Sequence, residues 1–152
     1  MSVEKIYNYI ELSDKIGTSG YPEDPEFQYI LDNGYQVVIN LVSNEPDDVL
    51  RNTEKGIVEN LGLSYIHIPV VWKLPQLDDF KSFCNALEQH KDKKVFIHCE
   101  LNMRVSVFMM LYRVIYKGMN QEKAMLDVQK IWKPYDQWKE FIEKVLYKLK
   151  EV

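Results

Sequence analysis

The sequence predicts an α/β fold of three layers, with a mostly parallel central sheet of four to five strands flanked by helices. Two patterns carry that expectation. Short β-branched runs, at residues 36–41 (QVVINL), 64–69 (SYIHIP) and 94–98 (KVFIH), alternate with stretches of helical periodicity. The run at 36–41 is almost continuously apolar, as befits a central strand covered on both faces. The third observation is size. With 152 residues, 46% hydrophobic and 28% charged, the chain suits one folded domain over residues 1–152 with one core.

The elements follow in order. A short strand at 15–18 ends in Ser19-Gly20-Tyr21-Pro22, and a helix at 25–32 is stopped by Gly34. The central strand 36–41 leads into a polar turn at 43–48, then a helix at 49–60 closed by Gly62. After the strand at 64–69, the loop VVWKLPQ enters a helix on which Phe80, Phe83, Cys84 and Leu87 recur at helical spacing, which reads Cys84 as core. Strand 94–98 places Cys99 at its carboxyl end. A helix at 105–117 closed by Gly118, and two more at 121–132 and 135–150, complete the domain. No internal repeat or linker interrupts it.

Charge and cysteine usage narrow the function classes. A net charge of −4 offers no general affinity for polyanions, so nucleic acid is not an expected partner and any anion site must be local. The amino terminus lacks the apolar core of a secretory signal, and no apolar run reaches membrane-spanning length. Two cysteines make no disulfide framework, and the expected location is the cytoplasm, away from any membrane. His67, His90 and His98 are dispersed and no metal-ligand spacing occurs, so no metal and no cofactor is expected. The oligomeric state is left open.

The chemistry concentrates in one place. Strand KVFIH, loop CELNM and helix RVSVFMMLYRVI form a strand–loop–helix cradle. Backbone N–H groups from Glu100, Leu101, Asn102, Met103, Arg104 and Val105, at a helix amino terminus, favour an oxyanion such as phosphate. The same field favours a thiolate at a cysteine placed there. Arg104 adds a planar, permanently charged fork suited to two anion oxygens. These are the parts that nucleophilic phosphoryl transfer needs.

Four segments in order, GTSGYP, VVINL, YIHIPV and FIHCELNMRVS, resemble the dual-specificity branch of the protein tyrosine phosphatases. The stretch LPQLDDFKSFCNALEQHKDKKVFIHC is similar to the segment before the loop in phosphatidylinositol-phosphate members, and the chain also resembles bacterial DUF442 proteins, the phosphatase-like domain of beta-lactamase-hydrolase-like proteins. Some of those have been labelled sulfurtransferases. The resemblance implies the cysteine phosphatase fold, Cys99 as nucleophile, Arg104 as the anion-binding arginine, and His98 as a loop-orienting group. It also implies Ser106 as the hydroxyl that stabilises the departing thiolate, with a first-turn residue bonding backbone as the alternative.

The chain departs from the family pattern HCxxGxxR-[ST] in two ways. Four residues, not five, separate Cys99 from Arg104. Either the loop is one residue short and Arg104 keeps the arginine's role, or Val105 takes that position and Ser106 the Ser/Thr position. Asn102 stands where the glycine would be. Asparagine tolerates a positive φ, but its side chain is expected to fill part of the pocket. The second departure is the general acid, which the family takes from an Asp just after the strand ending IPV; here that position reads Val71. Asp78 is the substitute candidate, with Asp79 beside it; capping of the following helix is the alternative for both. Trp132, Tyr135 and Trp138 pack between helices or form a lid.

Three readings follow: a cysteine-dependent phosphatase acting through a thiophosphoryl-enzyme, a sulfurtransferase carrying a persulfide on Cys99, and a non-catalytic cradle. The partner is a phosphorylated small molecule or protein, or a free oxyanion.

Overall fold

The structure, a computed structural model, describes residues 2–149. A five-stranded sheet is built from β1 (Ile10–Ser13), β2 (Ile16–Ser19), β3 (Val37–Asn40), β4 (Ser64–His67) and β5 (Val95–His98), in the spatial order β1-β2-β5-β3-β4. Its helices are α1 (Glu26–Asp32), α2 (Glu54–Asn60), α3 (Leu77–Gln89), α4 (Met103–Lys117), α5 (Gln121–Gln129) and α6 (Asp136–Leu149). The predicted last residue of the final helix, 150, lies outside the described residues.

The central strand β5 and its neighbour β3 are buried at every position, as the continuous apolar runs require. Their side chains alternate between two apolar clusters. Val37, Ile39, Val95 and Ile97 face a larger one with Phe80, Phe83, Phe108, Trp138 and Phe141; Val38 and Phe96 face a smaller one with Phe27, Ile30, Tyr35 and Val58. Helices therefore cover both faces, giving the three layers expected.

Strand β1 is an addition. It pairs antiparallel with β2, Ile10 opposite Thr18, and its residues alternate between half-buried and exposed. A four-residue edge strand with two polar members gives little period-two signal against the polar amino-terminal region. Two helix starts also differ from expectation. α2 begins at Glu54 rather than residue 49, because residues 43–53 form a loop fastened to the site described below. α4 begins at Met103, two residues before the expected 105, because Asn102 turns the chain directly into the helix.

Strands β2, β3, β4 and β5 run parallel, so their carboxyl ends, Ser19, Asn40, His67 and His98, lie along one edge. Loops leaving that edge converge, which is where open α/β sheets place their sites. Among the described residues no helix is long and apolar enough to cross a membrane.

Candidate active site

Between the end of β5 at His98 and the start of α4 at Met103 lie only Cys99, Glu100, Leu101 and Asn102. So short a connection needs one residue in the left-handed region, and Asn102 supplies it with φ 68° and ψ 8°. Its side chain turns away from the cysteine. Nδ2 donates to the Asn8 carbonyl at 2.9 Å and to Thr18 Oγ1 at 3.1 Å. The expected partial filling of the pocket is therefore corrected: the Asn102 amide is buried between the loop and β2, and the cavity wall does not include it.

The carbonyls of this loop are held from below. Asn8 Nδ2 donates to Leu101 O at 3.0 Å, and the Tyr21 N–H donates to Glu100 O at 2.8 Å. The turn Ser19-Gly20-Tyr21-Pro22 thus braces the loop, and Gly20 is required there because a Cβ would stand 2.6 Å from Glu100 O and 2.8 Å from Cδ2 of the Tyr7 ring. Gly20→Ala is expected to cost about 1–3 kcal/mol through overpacking against backbone. Urea denaturation measures it, and an unchanged midpoint would show that the turn does not brace the loop.

Above Cys99 opens a cavity of about 420 Å³, lined on one side by Ser43, Glu45, Asp47 and Asp48 from the loop after β3. Val71, Trp72 and Lys73 from the loop after β4, and Tyr135 before α6, line the other. Cys99, Glu100, Leu101, Met103 and Arg104 complete the lining. The backbone N–H groups of Met103, Arg104 and Val105 occupy the first turn of α4, which has no preceding carbonyls to receive them; the first helical bond is Ser106 N–H to Asn102 O at 3.0 Å.

Arg104 is buried and fully oriented. Nη1 donates to Asp48 Oδ2 at 2.7 Å and to the Val70 carbonyl at 2.8 Å, and Nη2 donates to Asp48 Oδ1 at 3.2 Å. Three of the five guanidinium N–H groups are thereby used; the fork also lies within hydrogen-bonding reach of the Cys99 side chain, and Nε–H and one hydrogen of Nη2 are the groups left to share between that sulfur and an anion. Burial opposes its charge, yet Asp48 and Cys99 beside it raise it above the ordinary guanidinium value. Asp48 is held well below the usual carboxylate range: burial raises it, and the Arg104 and Ser43 hydrogen bonds outweigh burial. Ser43 supplies both its N–H, at 2.9 Å, and its hydroxyl, at 2.7 Å.

Val105 is buried in the larger apolar cluster. Of the two loop registers, the structure has the shorter one, with Arg104 on the cavity wall and Val105 in the core; Val105 has only its backbone N–H available to an anion.

His98 lies beneath Cys99, fully buried, with Nε2 2.6 Å from Glu54 Oε2 and Nδ1 3.2 Å from the Cys99 carbonyl. Glu54 is equally buried, and its carboxyl is held below the usual range. Burial raises it, but the His98 charge and hydrogen bond, with Tyr21 and Arg51, outweigh that.

Two expected site residues are elsewhere. Ser106 does not line the cavity: its hydroxyl donates to Met103 O at 2.9 Å and accepts from Trp132 Nε1 at 3.1 Å. The backbone-bonding alternative describes it, because Ser106 sits one turn too far along α4. Asp78 is likewise off the cavity, exposed on the first turn of α3, and Asp79 accepts from the Gln76 N–H at 3.3 Å. Both belong to the start of a helix. Trp138 packs in the core and donates to Trp72 O at 2.9 Å, whereas Tyr135 alone of the late aromatic trio lines the cavity. Cys84 is buried, and desolvation pushes its thiol up to about 12, so it is inert.

Asp48 and Glu54 escaped the sequence reading, the first as part of a polar turn and the second as an ordinary helix residue. A signal for Asp48 existed. The acidic run Glu45-Pro46-Asp47-Asp48 follows the carboxyl end of a strand adjacent to the cysteine's own, where parallel topology gathers functional loops.

Comparison with known proteins places the fold and the family. A DUF442 protein of Shewanella putrefaciens CN-32 superposes with a TM-score of 0.84 at 29% identity, covering 97% of this chain and 96% of that one. Tk-PTP in its active form gives 0.74 at 19% identity, covering 95% and 97%, and PTPMT1 in complex with PI(5)P gives 0.76 at 14%, covering 94% and 97%; these two show the fold alone. The beta-lactamase hydrolase-like protein of Xylella fastidiosa is 25% identical over 117 residues, which are 76% of this chain but only 27% of that protein. The chain thus matches about a quarter of the length of those relatives. A family model described as a DSP-PTPase phosphatase fused to NAD+ kinase matches residues 15–142. The chain belongs to that DSP-PTPase phosphatase family.

Proposed function

We propose that the protein is a cysteine-dependent phosphatase acting on phosphate monoesters of a small molecule or protein in the cytoplasm. One observation carries the reading: Cys99 and an Arg104 pre-oriented by Asp48 share the floor of one cavity at the amino end of α4. The Cys99 thiolate attacks phosphorus, forming an S–P bond as the ester P–O bond breaks with its electron pair going to the leaving oxygen. The free N–H groups of Arg104 and the loop amides hold the three non-bridging oxygens as charge develops. Water then attacks phosphorus, the S–P bond breaks back to the thiolate, and phosphate leaves.

The loop after β4 brings no carboxyl to the leaving oxygen: Val71 lines the cavity where the family's Asp would stand, with the Lys73 ammonium farther along the same wall. A phenolate departs without one, while an alkoxide loses about 10²–10⁴-fold. The expected result is hydrolysis of p-nitrophenyl phosphate at least about 10²-fold faster than of β-glycerophosphate or phosphoserine, measured as kcat/KM. Equal rates would mean that a group on the cavity wall, the Glu45, Asp47 or Glu100 carboxyl or the Lys73 ammonium, donates the proton. The absence of an acid at Val71 also favours a second reading, a sulfurtransferase, because forming and discharging a Cys99 persulfide requires none. Thiocyanate production from thiosulfate and cyanide, without phosphate ester turnover, would replace the phosphatase reading. Tight oxyanion binding with neither turnover would replace both.

A further inference from the structure

The histidine that precedes the cysteine has one ring nitrogen against a carbonyl oxygen and the other against a carboxyl oxygen, and with Glu54 ionised both oxygens can only accept. Nδ1 is 3.2 Å from the Cys99 carbonyl, and Nε2 is 2.6 Å from Glu54 Oε2. A neutral imidazole carries one N–H, so one of the two contacts would set a lone pair against an oxygen lone pair. With Glu54 ionised, both contacts are attractive only when both nitrogens carry protons. Glu54 is suited to balance that charge: it is buried, ion-paired with His98, and kept ionised by surroundings that include Tyr21 and Arg51.

The neighbours fix the ring without offering another base. Tyr21 lies over it at 5.0 Å between centroids and Phe27 stands edge-on at 6.1 Å. Arg51 caps Tyr21 at 4.1 Å, donates its backbone N–H to the Tyr21 hydroxyl, and is itself paired with Asp24. Tyr65, hydrogen-bonded by Asn40, faces Glu54 from β4. On the cysteine's other side stands the Arg104–Asp48 pair.

We propose that Glu54 is a positioning residue that holds His98 doubly protonated, so that the Nδ1–H grips the Cys99 carbonyl and a buried positive charge lies beneath the thiolate. Glu54 touches no substrate, and its effect reaches the reaction through His98. The inference rests on the reading of Cys99 as the nucleophile for its consequence, but not for its test.

The test has two parts. In the wild-type protein, ¹⁵N NMR of the His98 ring at pH 7 is expected to show two nearly equal, imidazolium-type shifts. The well-separated pair of a neutral tautomer would overturn the proposal outright, whatever the enzyme does. In Glu54→Gln the amide can still accept one hydrogen bond but carries no charge. The pH profile of Cys99 alkylation by iodoacetamide is then expected to move up by about one unit, which is a roughly tenfold slowing on the acid limb of the wild-type profile, equivalent to about 1.4 kcal/mol. Glu54→Asp is expected to restore most of the wild-type profile. An unchanged profile in a folded Glu54→Gln protein would sink the idea, and if that variant fails to fold, the wild-type spectrum alone decides. Because neither measurement uses a phosphate ester, loss of the phosphatase reading leaves the outcome readable.

Discussion

Cys99→Ser is expected to lower p-nitrophenyl phosphate turnover by on the order of 10³-fold or more while leaving the cavity able to bind phosphate. Serine keeps the size and loses the anion, and an alcohol on this loop has no base positioned to ionise it. The remaining cradle is intact, since neither the Arg104–Asp48 pair nor the Asn102 turn depends on the sulfur. Removing the thiolate also removes a negative charge from beside the anion, so phosphate or vanadate affinity should hold or rise. Turnover in the variant and phosphate titration by calorimetry or NMR check the two halves. Turnover within about tenfold of wild type would mean that Cys99 is not the nucleophile. Loss of turnover together with loss of anion binding would instead mark the cysteine as a structural member of the loop.

That separation depends on how the site is built, and the build explains what the sequence could reveal. β3 and β5 were legible because both faces of each are covered, which forces continuous apolar runs. The cysteine loop was legible because its parts are contiguous: strand, four residues, helix. Asn102 was read correctly as a positive-φ residue, since few side chains tolerate that region. Where the side chain would go was not legible, because Asn8 and Thr18 are distant in sequence and close only through the β1–β2 hairpin. The same limit hid Asp48 and Glu54. Each acts on a residue about a third of the chain away, Arg104 or His98, through contacts that exist only once β3 and β5 lie side by side. Ser106 and Asp78 failed in the opposite direction. Position in a family pattern suggested chemistry for them, while local helix geometry had already committed their polar atoms or their placement.

Asp48→Ala is expected to be the most damaging change outside the cysteine loop. It strips the buried Arg104 of both hydrogen bonds to its carboxylate partner, leaving the Val70 carbonyl and the Cys99 side chain to hold it. Breaking a buried pair from one side costs about 3–5 kcal/mol, read as a lower urea midpoint at pH 7. The Arg104 fork then loses its fixed direction, and misplacement by about 1 Å is enough to lower kcat/KM about 10²-fold. Acid behaviour separates this pair from the rest of the molecule. The folded-state value of Asp48 lies below its unfolded value near 3.9, so its contribution is complete above that value and fades as pH falls through the folded one. Wild type should therefore lose stability steeply below about pH 4, and Asp48→Ala should lose less over the same interval, the two curves converging in acid. Glu54 and Asp127 are depressed in both proteins and cancel in the difference. Equal urea midpoints at pH 7, or a constant gap between the curves down to pH 2, would show that Arg104 is held in place by the loop and not by Asp48.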